Sequence, residues 1–243
     1  MASRSTLLFA YGNSNDLILA ADGRATTAEG EHHSDDAIKV ALCGKRGAVA
    51  VGGFCEGIVK MGPRLGWRWK LLDDLQKDLT LPSSSATARA DAVFQAAHAS
   101  ASAYMPHDSD AGTPGTFPDG IVVIYGEVSR MRDVYLYRAD FPVTVTMGSA
   151  ESWTWAVHKP TVKQVHPSIS SPGLPFQYLH KPEVHVLSKL SPPNDDRVLA
   201  ASLPNIFEVF ANHNSVETVG GGVSGVRIDS NEARWLIKGG RTP

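Results

Sequence analysis

Thr6, Asp22, Lys39 and Gly53 each fall within or at the end of one of four short apolar runs near the start of the chain. The stretch reads T-L-L-F-A-Y-G-N-S-N-D-L-I-L-A-A-D-G-R-A-T-T. An acidic, His-containing loop follows, and then D-D-A-I-K-V-A-L-C-G-K-R-G-A-V-A-V-G-G. Runs this short and this rich in Leu, Val, Ile and Ala, separated by Gly, Asn and Ser, predict strands over 6–11, 16–21, 38–43 and 47–52. Their composition predicts a sheet covered on both faces. Four such strands bring a hydroxyl, a carboxylate, an ammonium group and a bare backbone amide to where one pocket could collect them. Hydrolysis through an activated hydroxyl nucleophile uses groups of these kinds.

The same residues resemble the proteasome β-subunit family of N-terminal nucleophile hydrolases. Thr6 and Asp22 stand 16 positions apart, as the family's catalytic Thr and turn Asp do, and A-A-D-G-R-A matches that turn. Lys39 comes one residue later than the family's strand Lys, which one insertion in the loop 29–36 would explain. From Lys39 to Gly53 the spacing again agrees. Asp119-Gly120-Ile121-Val122-Val123, Met147-Gly148-Ser149 and V-E-T-V-G-G-G-V-S-G-V-R-I near the C-terminus resemble later family segments.

The resemblance implies a nucleophile, Thr6, freed by cutting the Ser5–Thr6 bond, with Met1–Ser5 as a short propeptide. It implies Asp22 and Lys39 as a supporting charge pair, the Gly53 N–H as oxyanion donor, and Ser149 on the amine or a relaying water. Glu217 stands where the family has a late Asp. Ala25, Ala37, Val51, Cys55 and Val59 would line the substrate pocket, a small, uncharged lining suited to an apolar side chain. The family also implies peptide or protein substrates, identical subunits in a ring, a regulatory ATPase as a further partner, and no cofactor or metal. The departures are Ser5 in place of Gly, Gly220 in place of a Ser before the paired glycines, and Glu151 in place of a second Ser. They leave a second reading open: an unprocessed, catalytically silent scaffold subunit in which Thr6 is a β-branched strand residue. On that reading Asp22 is a turn former, Gly53 a turn glycine and Ser149 a helix N-cap, although the fixed distance of Asp22 from Thr6 favours the catalytic role.

These residues have to be positioned by the rest of the chain, whose 243 residues suffice for one substantial core. A hydrophobic fraction of 42% with 20% charged residues is ordinary for a globular protein. A net charge of -2 gives no reason to expect nucleic acid or an anionic membrane as partner. No apolar run approaches the roughly 18 residues of a membrane span. Two cysteines, Cys43 and Cys55, are too few for a disulfide framework and point to a reducing compartment, hence the cytoplasm.

Apolar spacing predicts a helix over 56–79, broken or kinked near Pro63 and Gly66, and a second over 86–104. A surface loop over 106–118 precedes strands at 120–125, 133–138 and 143–147. Gly148–Glu151 reads as the cap of a short helix reaching His158. Residues 159–194 hold seven of the 15 prolines and read as an insertion. A helix over 196–212 and closing strands at 223–229 and 233–238 follow. The G-x-G-x-x-G pattern at 220–225 precedes a strand, which argues against dinucleotide binding. The expected fold is a single α+β domain over 1–243: a four-layer αββα sandwich of two mainly antiparallel sheets between helix layers.

Overall fold

Alternation of side chains across a strand divides the apolar residues among three clusters. The computed structural model describes residues 8–12, 15–26, 32–58, 68–78, 81–82, 84–104, 114–147, 153–165, 176–177, 195–214 and 220–241. The early strands are β1 (Leu8–Gly12), β2 (Leu17–Ala21), β3 (Ala25–Thr26), β4 (His32–Ser34), β5 (Val40–Leu42) and β6 (Gly47–Gly53). A small hairpin, β7 (Glu56–Ile58) with β8 (Arg68–Lys70), leads into α1 (Leu71–Asp78) and α2 (Ala86–Tyr104). Two long strands, β9 (Gly115–Val128) and β10 (Val134–Met147), precede β11 (Trp153–Val157), β12 (Thr161–Gln164) and β13 (Phe176–Gln177). The chain then forms α3 (Asp196–Asn214), β14 (Ser224–Ile228) and β15 (Ala233–Ile237).

One sheet has the order β13-β1-β2-β14-β15, the other β11-β10-β9-β6-β5 with β12 beside β10, and the pairings are antiparallel. Leu17, Leu19 and Ala21 of β2 join Ala48 and Ala50 of β6 and Val122 and Ile124 of β9 in one cluster drawn from both sheets. The intervening residues of β2, Ile18 and Ala20, pack with Leu199, Leu203 and Phe207 of α3. Val49 and Val51 of β6 pack with Leu71 and Leu75 of α1 and Val93, Phe94 and Ala97 of α2. Each central strand therefore buries both faces, which is why its sequence is nearly continuously apolar. The first two hairpins, expected in one sheet, lie in different ones.

A buried polar centre ties α2 to the C-terminal end of β9, the central strand of its sheet. Glu127 is 4% exposed. It accepts from Arg89 Nε at 2.7 Å and Nη2 at 2.6 Å, and from the Tyr125 hydroxyl at 2.5 Å. Burial first, and then the hydrogen bond to Glu127, raise the Tyr125 phenol above its ordinary range.

Several expected elements take other forms. Among the described residues of the helix expected over 56–79, Leu71–Asp78 are helical, while Glu56–Ile58 and Arg68–Lys70 form the β7–β8 hairpin; Pro63 and Gly66 lie outside the described residues. Among the described residues, Leu71, Leu72 and Leu75 use the helical spacing, while Trp69 donates its indole N–H to Ser100 at 3.0 Å. Strand β9 begins at Gly115, inside the expected loop. The strands expected at 133–138 and 143–147 are one strand, because a register shift between Phe141 and Val143 absorbs Pro142, which has no N–H for the ladder. The short helix expected to reach His158 is instead β11 from Trp153 onward, aromatic and β-branched and paired with β10 from Val143 to Met147. Within 159–194, β12 adds to the edge of β10 and β13 to the edge of β1. Among the described residues, no helix is long and apolar enough to cross a membrane.

Candidate active site

Strand β2 ends at Ala21, and the chain turns through Asp22, Gly23 and Arg24 into β3. Asp22 is 1% exposed and Lys39, immediately before β5, is 5% exposed. Lys39 Nζ lies 3.3 Å from Asp22 Oδ1 and donates to the Arg24 carbonyl at 2.5 Å. Asp22 Oδ2 accepts from the Arg24 N–H at 3.2 Å and from the Gly220 N–H at 3.4 Å. The Val51 N–H donates to the Lys39 carbonyl at 2.9 Å, fixing Lys39 beside β6. Two charges this deep are stable only when paired and hydrogen-bonded, and both are. A buried ammonium held this way makes a second positive charge nearby costly, so it favours the neutral, proton-accepting form of an adjacent amine.

Gly53 closes β6 at φ +78°. A Cβ there would stand 2.2 Å from the Gly120 carbonyl oxygen, so both conformation and space require glycine. The Phe54 N–H donates to that carbonyl at 2.8 Å, and the Phe54 ring meets Phe117 and Trp155 edge to face. The turn at the end of β6 is thus held by backbone and ring together.

Ala37, Val51 and Cys55 are buried, and Val51 and Cys55 belong to the cluster packed against α1 and α2. The Ala37 N–H donates to the Gly23 carbonyl at 2.9 Å. Ala25 opens β3. Burial pushes the Cys55 thiol up to about 12; the Glu56 charge adds to the rise, and Lys39 partly offsets it. Cys55 is therefore a neutral thiol at physiological pH and no rival nucleophile. Thr6, Ser149, Glu217 and Val59 lie outside the described residues. The structure brings Asp22 and Lys39 together and places Gly53 two residues beyond Val51 on the strand that Lys39 adjoins.

Arg24, Asp35 and the glycines 220–222 also belong to this site. Arg24 is visible in sequence only as a letter of the turn motif, and Asp35 only as one acidic residue in a loop. Their part in it depends on main-chain contacts that side-chain spacing does not encode. Among the described residues, no group of three or more His, Cys, Asp or Glu side chains could hold a metal ion.

No family model matches the chain, and no curated protein sequence matches it. Among solved structures, a mutant of Anbu from Hyphomicrobium sp. strain MC1 matches with a TM-score of 0.53. The match covers 96% of this chain and 87% of that one, at 14% identity. The likeness shows the fold alone. This chain therefore shares, distantly, the fold of Anbu. The two antiparallel sheets and the helix-backed clusters described above agree with it.

Proposed function

We propose that the chain is a threonine-dependent peptidase or amide hydrolase of the proteasome β-subunit type, built as an αββα sandwich. The observation that carries this reading is the buried Asp22–Lys39 pair, hydrogen-bonded through the turn after β2, in a chain that shares, distantly, the fold of Anbu. Cleavage before Thr6 frees its α-amine, whose ordinary pKa is about 8. Lys39 keeps that amine neutral, and Asp22 holds Lys39 in place and offsets its burial. The amine takes the proton from the Thr6 hydroxyl as Oγ1 attacks the substrate carbonyl, then gives it to the leaving substrate nitrogen as the C–N bond breaks and the acyl ester forms. The Gly53 N–H faces the developing oxyanion, Ser149 and Glu217 support the amine side, and water then hydrolyses the acyl ester on Thr6. Ala25, Ala37, Val51, Cys55 and Val59 form the small apolar pocket. Identical subunits assemble into a ring in the cytoplasm, with peptide or protein as substrate and a regulatory ATPase as a further partner. The Pro-rich segment 159–194 is an insertion on this plan.

The second reading is an unprocessed scaffold subunit. It is favoured by Ser5 before the Thr, by the missing hydroxyl at Gly220, and by a structural likeness that concerns the fold alone. Intact mass of the purified protein beside a Thr6→Ala control separates the two. Loss of Met1–Ser5 in the wild type but not in the control is the expected result. A wild-type mass that retains the leader after assembly overturns the hydrolase and leaves the scaffold.

A further inference from the structure

We propose that Arg24 is a positioning residue, and that its ion pair with Asp35, closed over by the glycines 220–222, sets the geometry of the Asp22–Lys39 pair. The catalytic consequence of this inference rests on the hydrolase reading above; its structural part does not. The main chain of Arg24 serves both members of the pair, its N–H donating to Asp22 Oδ2 at 3.2 Å and its carbonyl accepting from Lys39 Nζ at 2.5 Å. A rotation of this backbone would disturb both bonds together.

The side chain is what fixes that backbone. Arg24 Nε donates to Asp35 Oδ1 at 2.9 Å, with the two side chains 28% and 43% exposed. An ion pair this accessible contributes little to global stability, so its effect is sought in position. Its surroundings are closely fitted. The Asp35 carbonyl accepts the Gly222 N–H at 2.8 Å, while the Gly220 N–H reaches Asp22 Oδ2 at 3.4 Å. The Arg24 guanidinium lies over the bare backbone of Gly220, where a Cβ would stand 2.9 Å from Cζ and Nη2. A Cβ on Gly23 would stand 2.2 Å from the Gly222 carbonyl oxygen. The turn after β2, the loop before β5 and the turn before β14 therefore close on one another around Arg24. A side chain at 220 would displace the guanidinium.

Three variants test this: Arg24→Ala, Arg24→Lys and Asp35→Asn. The readouts are peptide hydrolysis kinetics and the Lys39 Nζ–Asp22 separation in a crystal structure of each variant. A misplaced charge pair acts on the chemical step, so the expected result for Arg24→Ala is a fall in kcat of about 100-fold with KM little changed. Arg24→Lys, which keeps the charge but loses the planar fork, is expected to recover part of that loss. The Lys39–Asp22 separation should lengthen in Arg24→Ala and in Asp35→Asn. A separation unchanged in both variants overturns the proposal whatever the kinetics, as does wild-type kcat in Arg24→Ala. Should Arg24→Ala fail to fold, Asp35→Asn decides by the same two readouts. A wild type without hydrolytic activity, beside a lengthened pair in the variants, sinks the hydrolase reading and leaves Arg24 as the positioning residue.

Discussion

At the residue scale, the burial of Asp22 and Lys39 has an energetic consequence that does not depend on catalysis. Removing one member leaves the other's charge in a site with little water. Lys39→Met should therefore destabilise the folded protein by about 3–5 kcal/mol. Urea denaturation measures this, and a loss below about 1 kcal/mol would mean that Asp22 finds other donors in the variant. Cys55 shows how a residue's type misleads without its environment. In a polar cleft it would be a candidate nucleophile, whereas here burial keeps its thiol protonated. Gly53 is the opposite case, because its positive φ and the Gly120 carbonyl leave no room for another residue.

At the element scale, the mismatch over 56–79 comes from what apolar spacing can and cannot distinguish. Apolar residues at helical spacing signal burial of one face, and two short strands flanking a loop can place the same residues inside. Trp69 and Leu71 are buried alike, one on β8 and one opening α1. Over 153–157, a cap-like Gly-Ser sequence precedes residues whose aromatic and β-branched side chains fit the pleated edge of β10. The helix α2 needed no such arbitration, being long and Ala-rich with no Gly or Pro in its span. Its attachment to the sheet rests partly on Glu127, which accepts two bonds from Arg89 and one from Tyr125. Glu127→Ala should cost about 3–5 kcal/mol by leaving the guanidinium without its carboxylate. Tyr125→Phe should cost less, about 1.5–3 kcal/mol, for one bond to a charged acceptor. Thermal melts of the two variants test the order, and an equal loss in both would contradict it.

For the whole molecule, a chain of ion pairs joins segments far apart in sequence. Arg227 on β14 bonds Asp16 before β2 and Asp196 at the start of α3, while Arg234 on β15 bonds Asp196 and Asp229. For Asp196 and Asp229, burial alone would raise the carboxyl pKa, but the arginine hydrogen bonds outweigh it and hold both below the ordinary range. Because their folded pKa values are depressed, the stability they contribute is fully present above the unfolded value of about 4 and is lost as pH falls through the folded values. Asp196→Asn should therefore lower stability at neutral pH and flatten its decline below about pH 4. Stability measured from pH 7 to 2 checks this, and parallel curves for variant and wild type would refute it. The groups are partly exposed, so the effect is modest.

How much of this was legible beforehand depends on how local the information is. The hairpins at 8–21 and 40–53, the helices at 86–104 and 196–214 and the closing strands follow from composition and turn residues that act within a few positions. The pairing of Asp22 with Lys39 was expected from a family resemblance, and the structure places them 3.3 Å apart. Only tertiary structure could decide that the first two hairpins belong to different sheets, since residues buried on both faces read alike in either. Nor could spacing reveal that Gly220 donates to Asp22 from 198 positions away or that Arg24 bridges the charge pair. Those contacts are made by backbone amides and carbonyls, which every residue carries, and only the fold selects which of them meet.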